Sequence, residues 1–319
     1  MKLIIQIPCF NEEKTLPITV KDIPRDIKGI DKVEVLVIDD GSTDGTSEVA
    51  KELGVEHIVR FNRNKGLAKA FSAGLDACLK LGADIIVNTD ADNQYRGEDI
   101  VKLIRPILED KADIVVGDRQ IDTIKDFSFM KKKLQKIGSL VVRQVSGTDV
   151  PDATSGFRAF SKEAALNINV LSPFTYTLET IIEAGKKDMV IVSIPIRTNP
   201  KRRESRLYKN IGQYIVRSII TMIRIYTMYQ PLKTFFYVGS AVLLGGFLLG
   251  VRFLCYYFIG NGTGHIQSLI LASVLLIAGF MIIMIGLVAD IVSFNRKILE
   301  DRLYRVKKME VEKDEKNNS

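Results

Sequence analysis

Four short apolar runs punctuate the first part of the chain, and each stops at a polar or acidic cluster. Leu3 to Ile7 ends at Pro8, and Val33 to Ile38 ends at Asp39-Asp40-Gly41. Ile85 to Val87 ends at Asn88-Thr89-Asp90, and Ile114 to Val116 ends at Gly117-Asp118. None alternates with polar residues, the pattern of strands covered on both faces of a parallel sheet. Between them the spacing predicts helices over Thr43 to Leu53, Leu67 to Leu81 and Asp99 to Glu109, with Ser42 or Thr43 as the first cap. Strand–helix alternation of this kind predicts a layered α/β domain up to about residue 200.

The pattern then changes. Arg197 to Lys209 carries six basic residues and one acid, and Ile211 to Tyr229 mixes Ile, Met and Tyr with Arg217 and Arg224. This reads as basic loop and amphipathic interfacial helix over 201–232, lying on membrane lipids. Phe235 to Val251 is uncharged. Arg252 lies 19 residues beyond Lys233, about 28 Å along a helix and close to a hydrocarbon thickness of about 30 Å. Ser268 to Ala289 adds 22 uncharged residues after a Gly260 to Gly264 turn. A two-helix membrane hairpin is expected over 233–291, with spans near 235–259 and 267–290. With basic flanks on both sides, the N-terminal α/β domain and both termini are expected in the cytoplasm. Gly246 and Gly250 form a GxxxG that could pack the two helices or build a homo-oligomer. The remainder, 292–319, reads as a charged cytoplasmic tail, disordered from Lys307 onward. No signal peptide is read in Met1 to Ile7, which Asn11-Glu12-Glu13 follows closely.

Charge and composition narrow the chemistry. The net charge of +7 is concentrated near the membrane segments, so no nucleic-acid partner is expected. Cys9, Cys78 and Cys255 lack metal-ligand spacing, and only His57 and His265 carry imidazoles. Cys9 reads as a packing residue and His57 as structural. Asn11, Asp39, Asp40, Asp90, Asp92 and Asp118 all follow strand ends, where open parallel sheets bind ligands. Asp90, Asp92 and Gln94 can present three oxygens to one hard cation, Mg²⁺ or Mn²⁺, whose open positions substrate phosphates fill. Asn64 to Ala70 opens a helix whose N-terminus can face an anion.

The ordered motifs PCFNEE, VIDDGSTDGT, NKGLAKA, DADNQ, GDR and SGFRAF resemble glycosyltransferase family 2 and its GT-A fold. The later Arg202-Arg203-Glu204-Ser205-Arg206 stretch and the hairpin are similar to polyprenyl-phosphate glycosyltransferases of the dolichyl-phosphate mannose synthase type. The resemblance implies a GT-A domain over 1–200 with a mostly parallel central sheet. It implies a nucleotide-sugar site at Pro8, Phe10, Glu12, Asp39, Asp40, Gly66, Asp90, Ala91, Arg202 and Arg206. It implies a metal at Asp90, Asp92 and Gln94, and catalytic roles for Asp92, Arg119 and Arg202. Acceptor contacts fall to Arg119, Ser155, Arg158 and Glu179. Relatives mostly invert the anomeric centre. The implied reaction is metal-dependent transfer of one sugar from a UDP- or GDP-hexose to a polyprenyl or dolichyl phosphate.

The alternative is transfer to a sugar hydroxyl or a growing polysaccharide. That would need a carboxylate base, with Asp152 and Glu179 as the candidates. Against a polymer synthase, the chain has no Trp and only two apolar spans. A non-catalytic scaffold would predict a broken acid set. A dehydrogenase or P-loop ATPase would need GxGxxG or GxxxxGK[ST], and neither is present.

Overall fold

The computed structural model describes residues 1–121, 129–170, 176–200, 226–260 and 266–318, together with residues 216, 219, 220, 223 and 224. Residues 201–215, where the basic loop with Arg202 and Arg206 is expected, lie outside the described residues, as does part of the interfacial helix expected up to 232. The chain divides into two compact units, Met1–Met222 with Tyr304–Ser319, and Ile223–Leu303.

The first unit is built on seven strands: β1 Lys2–Cys9, β2 Lys32–Asp39, β3 His57–Arg60, β4 Ile85–Asn88, β5 Ile114–Asp118, β6 Arg158–Ser161 and β7 Ile191–Pro195. They form one sheet in the order β3-β2-β1-β4-β6-β5-β7. Its helices are α1 Leu16–Asp22, α2 Thr46–Glu52, α3 Leu67–Lys80, α4 Ile100–Leu108, α5 Phe129–Ser146, α6 Lys162–Asn167 and α7 Tyr176–Lys186. The four apolar runs are β1, β2, β4 and β5. From Leu3 to Cys9 every residue of β1 is buried, as an unalternating run requires. Leu3, Ile5, Ile7, Val35 and Val37 pack with Leu16 and Val20 of α1 and Leu103 and Ile104 of α4. The opposite face, with Gln6 and Ile38, meets Gly74 of α3.

All pairings are parallel except those of β6, which runs antiparallel to both β4 and β5. After β1 the chain winds outward through β2 and β3, then returns to place β4 on the other side of β1. The crevice between the C-terminal ends of β1 and β4 is therefore the topological switch point, where open α/β sheets bind ligands. Because β6 is reversed, the loop entering it at 152–157 arrives at the same rim as the loops leaving β4 and β5.

Some expectations are corrected. Helix α2 begins at Thr46 with Gly45 as its cap. Ser42 and Thr43 instead bind Asn11, through Asn11 N to Ser42 Oγ at 2.9 Å and Thr43 N to Asn11 Oδ1 at 2.8 Å. His57 is structural as read, with Nε2 lying 2.8 Å from Glu34.

The second unit contains α8, Pro231–Phe258, and most of α9, Ile266–Asn318. Both helices are long and apolar enough to cross a membrane. Their packing uses a different glycine set from the expected GxxxG. A Cβ on Gly246 would lie 3.0 Å from Ala272 O, and one on Gly239 would lie 2.8 Å from Gly279 O, whereas Gly250 meets nothing within 4 Å. The charged tail is helical up to Asn318, not disordered. Within the first unit Tyr304 Oη donates to Glu163 at 2.6 Å, Lys307 Nζ lies 3.3 Å from Asp76, and Val311 is buried.

Candidate active site

The acid loop after β4 alternates by side. Ala91, Asn93 and Tyr95 are buried, while Asp90, Asp92 and Gln94 are half-buried. Two turn devices hold this alternation. Gln94 N donates to Asp92 Oδ1 at 3.0 Å, and Asn93 sits at φ 54°, a left-handed conformation that Asn tolerates. Neighbours pin the loop from behind. Thr19 Oγ1 of α1 donates to Ala91 O at 3.0 Å. Asn199 N donates to Gln94 O at 2.8 Å, and its Nδ2 donates to Asn93 O at 3.0 Å.

Among the described residues no cluster joins three His, Cys, Asp or Glu side chains. The chain thus offers two adjacent carboxylates and an amide on the outward side of one loop. Such a hard, incomplete oxygen set fits Mg²⁺ or Mn²⁺, which keep positions for water and phosphate oxygens. It does not fit a closed structural zinc site.

The expected nucleotide end lies beside it. Pro8 is buried in register with Ile38, and Phe10 is 38% exposed at the rim. Glu12 is buried and accepts from Thr15 Oγ1 at 2.5 Å. Asp39 is fully buried; it accepts from Ser42 N at 2.7 Å and from Ser47 Oγ, with Arg60 Nε at 3.5 Å. Asp40 accepts from Lys65 N at 2.7 Å and Gly66 N at 2.9 Å. The anion at the start of α3 is therefore the chain's own Asp40. Burial pushes Asp40 up and those two amides oppose it. Cys9, between Pro8 and Phe10, is buried, and burial drives its thiol well above the ordinary range, so it packs and does not attack.

The residues after β5 and before β6 form a second layer. Arg119 Nε and Nη2 donate to Asp152 at 2.7 and 2.9 Å, and Nη2 also reaches Thr154 Oγ1 at 2.7 Å. Burial opposes charge on both partners, yet their mutual attraction prevails, raising Arg119 and lowering Asp152. The charge of Asp90 also favours the charged form of Arg119. Asp118 accepts from Gln120 N at 2.9 Å, while its burial pushes it up.

The four expected acceptor residues are all covered: Arg119 is 8% exposed, Ser155 and Arg158 0% and Glu179 2%. Arg158 spends its nitrogens on Ser155 O at 2.9 Å, Ala153 O at 2.9 Å and Thr180 Oγ1. Burial pulls it down to about 10. It braces the 152–157 loop from beneath and is closed to a ligand.

Sequence reasoning missed Asn88, Tyr95 and Tyr176 in this layer. Asn88 Nδ2 donates to Gly156 O at 2.9 Å and Tyr176 Oη at 3.0 Å. Gly156 N donates to Tyr95 Oη at 3.1 Å. Tyr95 stacks on Phe157 with centroids 5.0 Å apart, and Tyr176 stacks on Phe71 at 3.9 Å. Tyr95, one residue past the DADNQ motif, was the one with a usable signal.

Known proteins are similar to this chain in sequence and fold. A UDP-N-acetylglucosamine--dolichyl-phosphate N-acetylglucosaminyltransferase of Methanococcus voltae is 34% identical, over 60% of this chain and 83% of its own. The polyprenol monophosphomannose synthase of Mycolicibacterium smegmatis is 27% identical over 61% of this chain and 76% of its own. A glucosyl-3-phosphoglycerate synthase from Mycobacterium tuberculosis, crystallised with Mn²⁺, UDP-glucose and phosphoglyceric acid, shares the fold. It is 19% identical with a TM-score of 0.56, over 70% of this chain and 79% of its own. Residues 4–168, the span from β1 to the end of the SGFRAF strand and the helix after it, match glycosyl transferase family 2. With its acid loop at the switch point of a GT-A-like sheet, the chain belongs to that family and is a glycosyltransferase.

Proposed function

We propose that the enzyme transfers a single sugar from a UDP- or GDP-hexose to a polyprenyl or dolichyl phosphate at the cytoplasmic membrane face. The product is a lipid-linked sugar donor for glycan or glycoprotein assembly. The observation that carries the choice of acceptor is the burial of both base candidates. Asp152 is fully buried, ion-paired and held below the ordinary carboxylate range, and Glu179 is 2% exposed. A sugar hydroxyl needs a base within hydrogen-bond reach. A lipid phosphate is largely ionised at neutral pH and attacks without one. The two membrane-length helices and the acceptors named for the two relatives support the same reading.

Asp90, Asp92 and Gln94 would hold Mg²⁺ or Mn²⁺, which supplies charge neutralisation for the departing nucleoside diphosphate. Phe10 offers an aromatic face to the base. Asp39 and Asp40 order the 41–47 and 64–66 loops around the nucleotide. Ala91 brings backbone close to the diphosphate. Arg119, held by Asp152 and favoured in its charged form by Asp90, stabilises negative charge at the leaving or acceptor phosphate. The family resemblance assigns Arg202 and Arg206, which lie outside the described residues, to the diphosphate.

The test is detergent-purified enzyme with polyprenyl phosphate, Mg²⁺ and a panel of labelled nucleotide sugars. The expected result is one sugar per lipid, lost with EDTA and lowered at least about 100-fold by Asp92→Ala. Transfer that survives both treatments would overturn the metal role. Growing polymer would overturn the acceptor.

A further inference from the structure

The acid loop and the loop entering β6 are joined by contacts that none of the nucleotide, metal or acceptor roles requires. The Gly156 peptide is gripped on both sides. Its carbonyl accepts from Asn88 Nδ2 at 2.9 Å, and its N–H donates to Tyr95 Oη at 3.1 Å. Asn88 stands two residues before Asp90, and Tyr95 stands three after Asp92. The two ends of the acid loop therefore clasp one peptide of its neighbour.

That peptide has no room for a side chain. A Cβ on residue 156 would lie 3.2 and 3.3 Å from the two Asp90 oxygens and 2.8 Å from Tyr176 Oη. The absent side chain lets the Gly156 backbone serve as a wall against the Asp90 carboxylate. A carboxylate walled on one side has fewer rotamers to lose when it meets a cation.

We propose that Asn88, Tyr95 and Gly156 form a clip that fixes the Asp90 carboxylate in its cation-binding orientation and couples it to the Arg119–Asp152 loop. These are positioning residues, and all three are buried. The proposal rests on the metal-dependent reading above. It goes further by naming what sets the geometry of the acid pair.

The expected effects separate positioning from packing. Gly156→Ala crowds both Asp90 and Tyr176. Adding Tyr176→Phe removes the hydroxyl, the nearer obstacle, and leaves the crowding at Asp90. Packing damage is thus relieved in the double variant while carboxylate displacement remains. Tyr95→Phe removes the acceptor of the Gly156 N–H and loosens the clip without adding an atom.

The experiment is Mn²⁺ binding to the full-length enzyme in detergent, read by the electron paramagnetic resonance of free Mn²⁺ with UDP or GDP present, alongside thermal unfolding. Gly156→Ala should weaken Mn²⁺ about tenfold or more, the scale of losses when partners behind a metal ligand are changed. Adding Tyr176→Phe should restore part of the lost unfolding temperature and none of the Mn²⁺ affinity. Tyr95→Phe should weaken Mn²⁺ several-fold, with kcat at saturating Mn²⁺ falling less than affinity. Wild-type Mn²⁺ affinity in all three variants, or affinity recovering with stability in the double variant, overturns the clip while leaving the metal reading intact. Equal absence of Mn²⁺ binding in wild type and Asp92→Ala overturns the metal reading, and the clip with it.

Discussion

Asp152 holds Arg119 with both carboxylate oxygens, at 2.7 and 2.9 Å, where neither side chain has more than marginal contact with solvent. A buried pair of this geometry is costly to break by halves, because the survivor is left as an uncompensated charge. Asp152→Asn should destabilise the first unit by about 3–5 kcal/mol. A paired Arg119→Met, Asp152→Leu variant should recover most of that stability while remaining inactive. Urea unfolding beside a transfer assay checks both. Recovery of activity with stability would remove Arg119 from the reaction.

Glu34 answers to acid. It is buried at the start of β2, and burial alone would raise it, but Lys2, Lys32 and His57 bond to it and bring it down to about 2. Its folded value lies below its ordinary one. Its stabilisation is therefore complete above the ordinary carboxylate range and is lost as pH falls from about 4.5 toward 2. Allowing for the exposure of Lys32, the group contributes about 2–3 kcal/mol near neutrality. Glu34→Gln should lower neutral stability by that amount and flatten the acid limb of a stability–pH curve. An unchanged acid limb would show that other carboxylates set it.

Asp99 ties the segment behind the acid loop. It is fully buried and accepts from Arg197 N at 2.9 Å and from Lys102 Nζ. Asp99→Ala strands a backbone N–H and should cost about 1–3 kcal/mol. Residues 197–199 carry the Asn199 bonds to the acid loop, so the apparent metal requirement should rise as well. Metal titration of activity and thermal unfolding on the same preparation would show the two effects together.

The hairpin of the second unit depends on small residues at its contact. A Cβ on Gly279 would stand 2.8 Å from Leu243 N and 2.9 Å from Gly239 O, both backbone atoms that cannot swing aside. Gly279→Leu should separate α8 from α9 and lower thermal stability in detergent, whereas Gly250→Leu, facing open space, should not. Equal tolerance of both changes would exclude the packing described.

Much of this was legible in the order of residues. The apolar runs gave the central parallel strands because burial on both faces leaves a continuous signature, and the acids at their ends converge because parallel strands share one rim. Strand β6 was not legible. It is four residues long, begins with the fully buried Arg158, and reverses direction, none of which a local pattern encodes. Its reversal is why Asp152, Ser155 and Arg158 pack under the rim as bracing, although their residue types suggested ligand contacts. The tail misled for a related reason. Its charges predict solvation, but Tyr304 and Lys307 find Glu163, Asn169 and Asp76, and helix continues through it. Only tertiary contact decides between those outcomes.

The pairing of β6 with β4 sets Arg158 opposite Asn88. A slip of one residue would turn every β6 side chain to the other face, exposing the guanidinium to a layer built for alanine. The same slip would carry Gly156 away from both Asn88 and Tyr95. A chain that pairs wrongly here thus loses the proposed cation site along with its core. Turnover recovered after refolding should therefore count correctly paired molecules more faithfully than any measure of helix content.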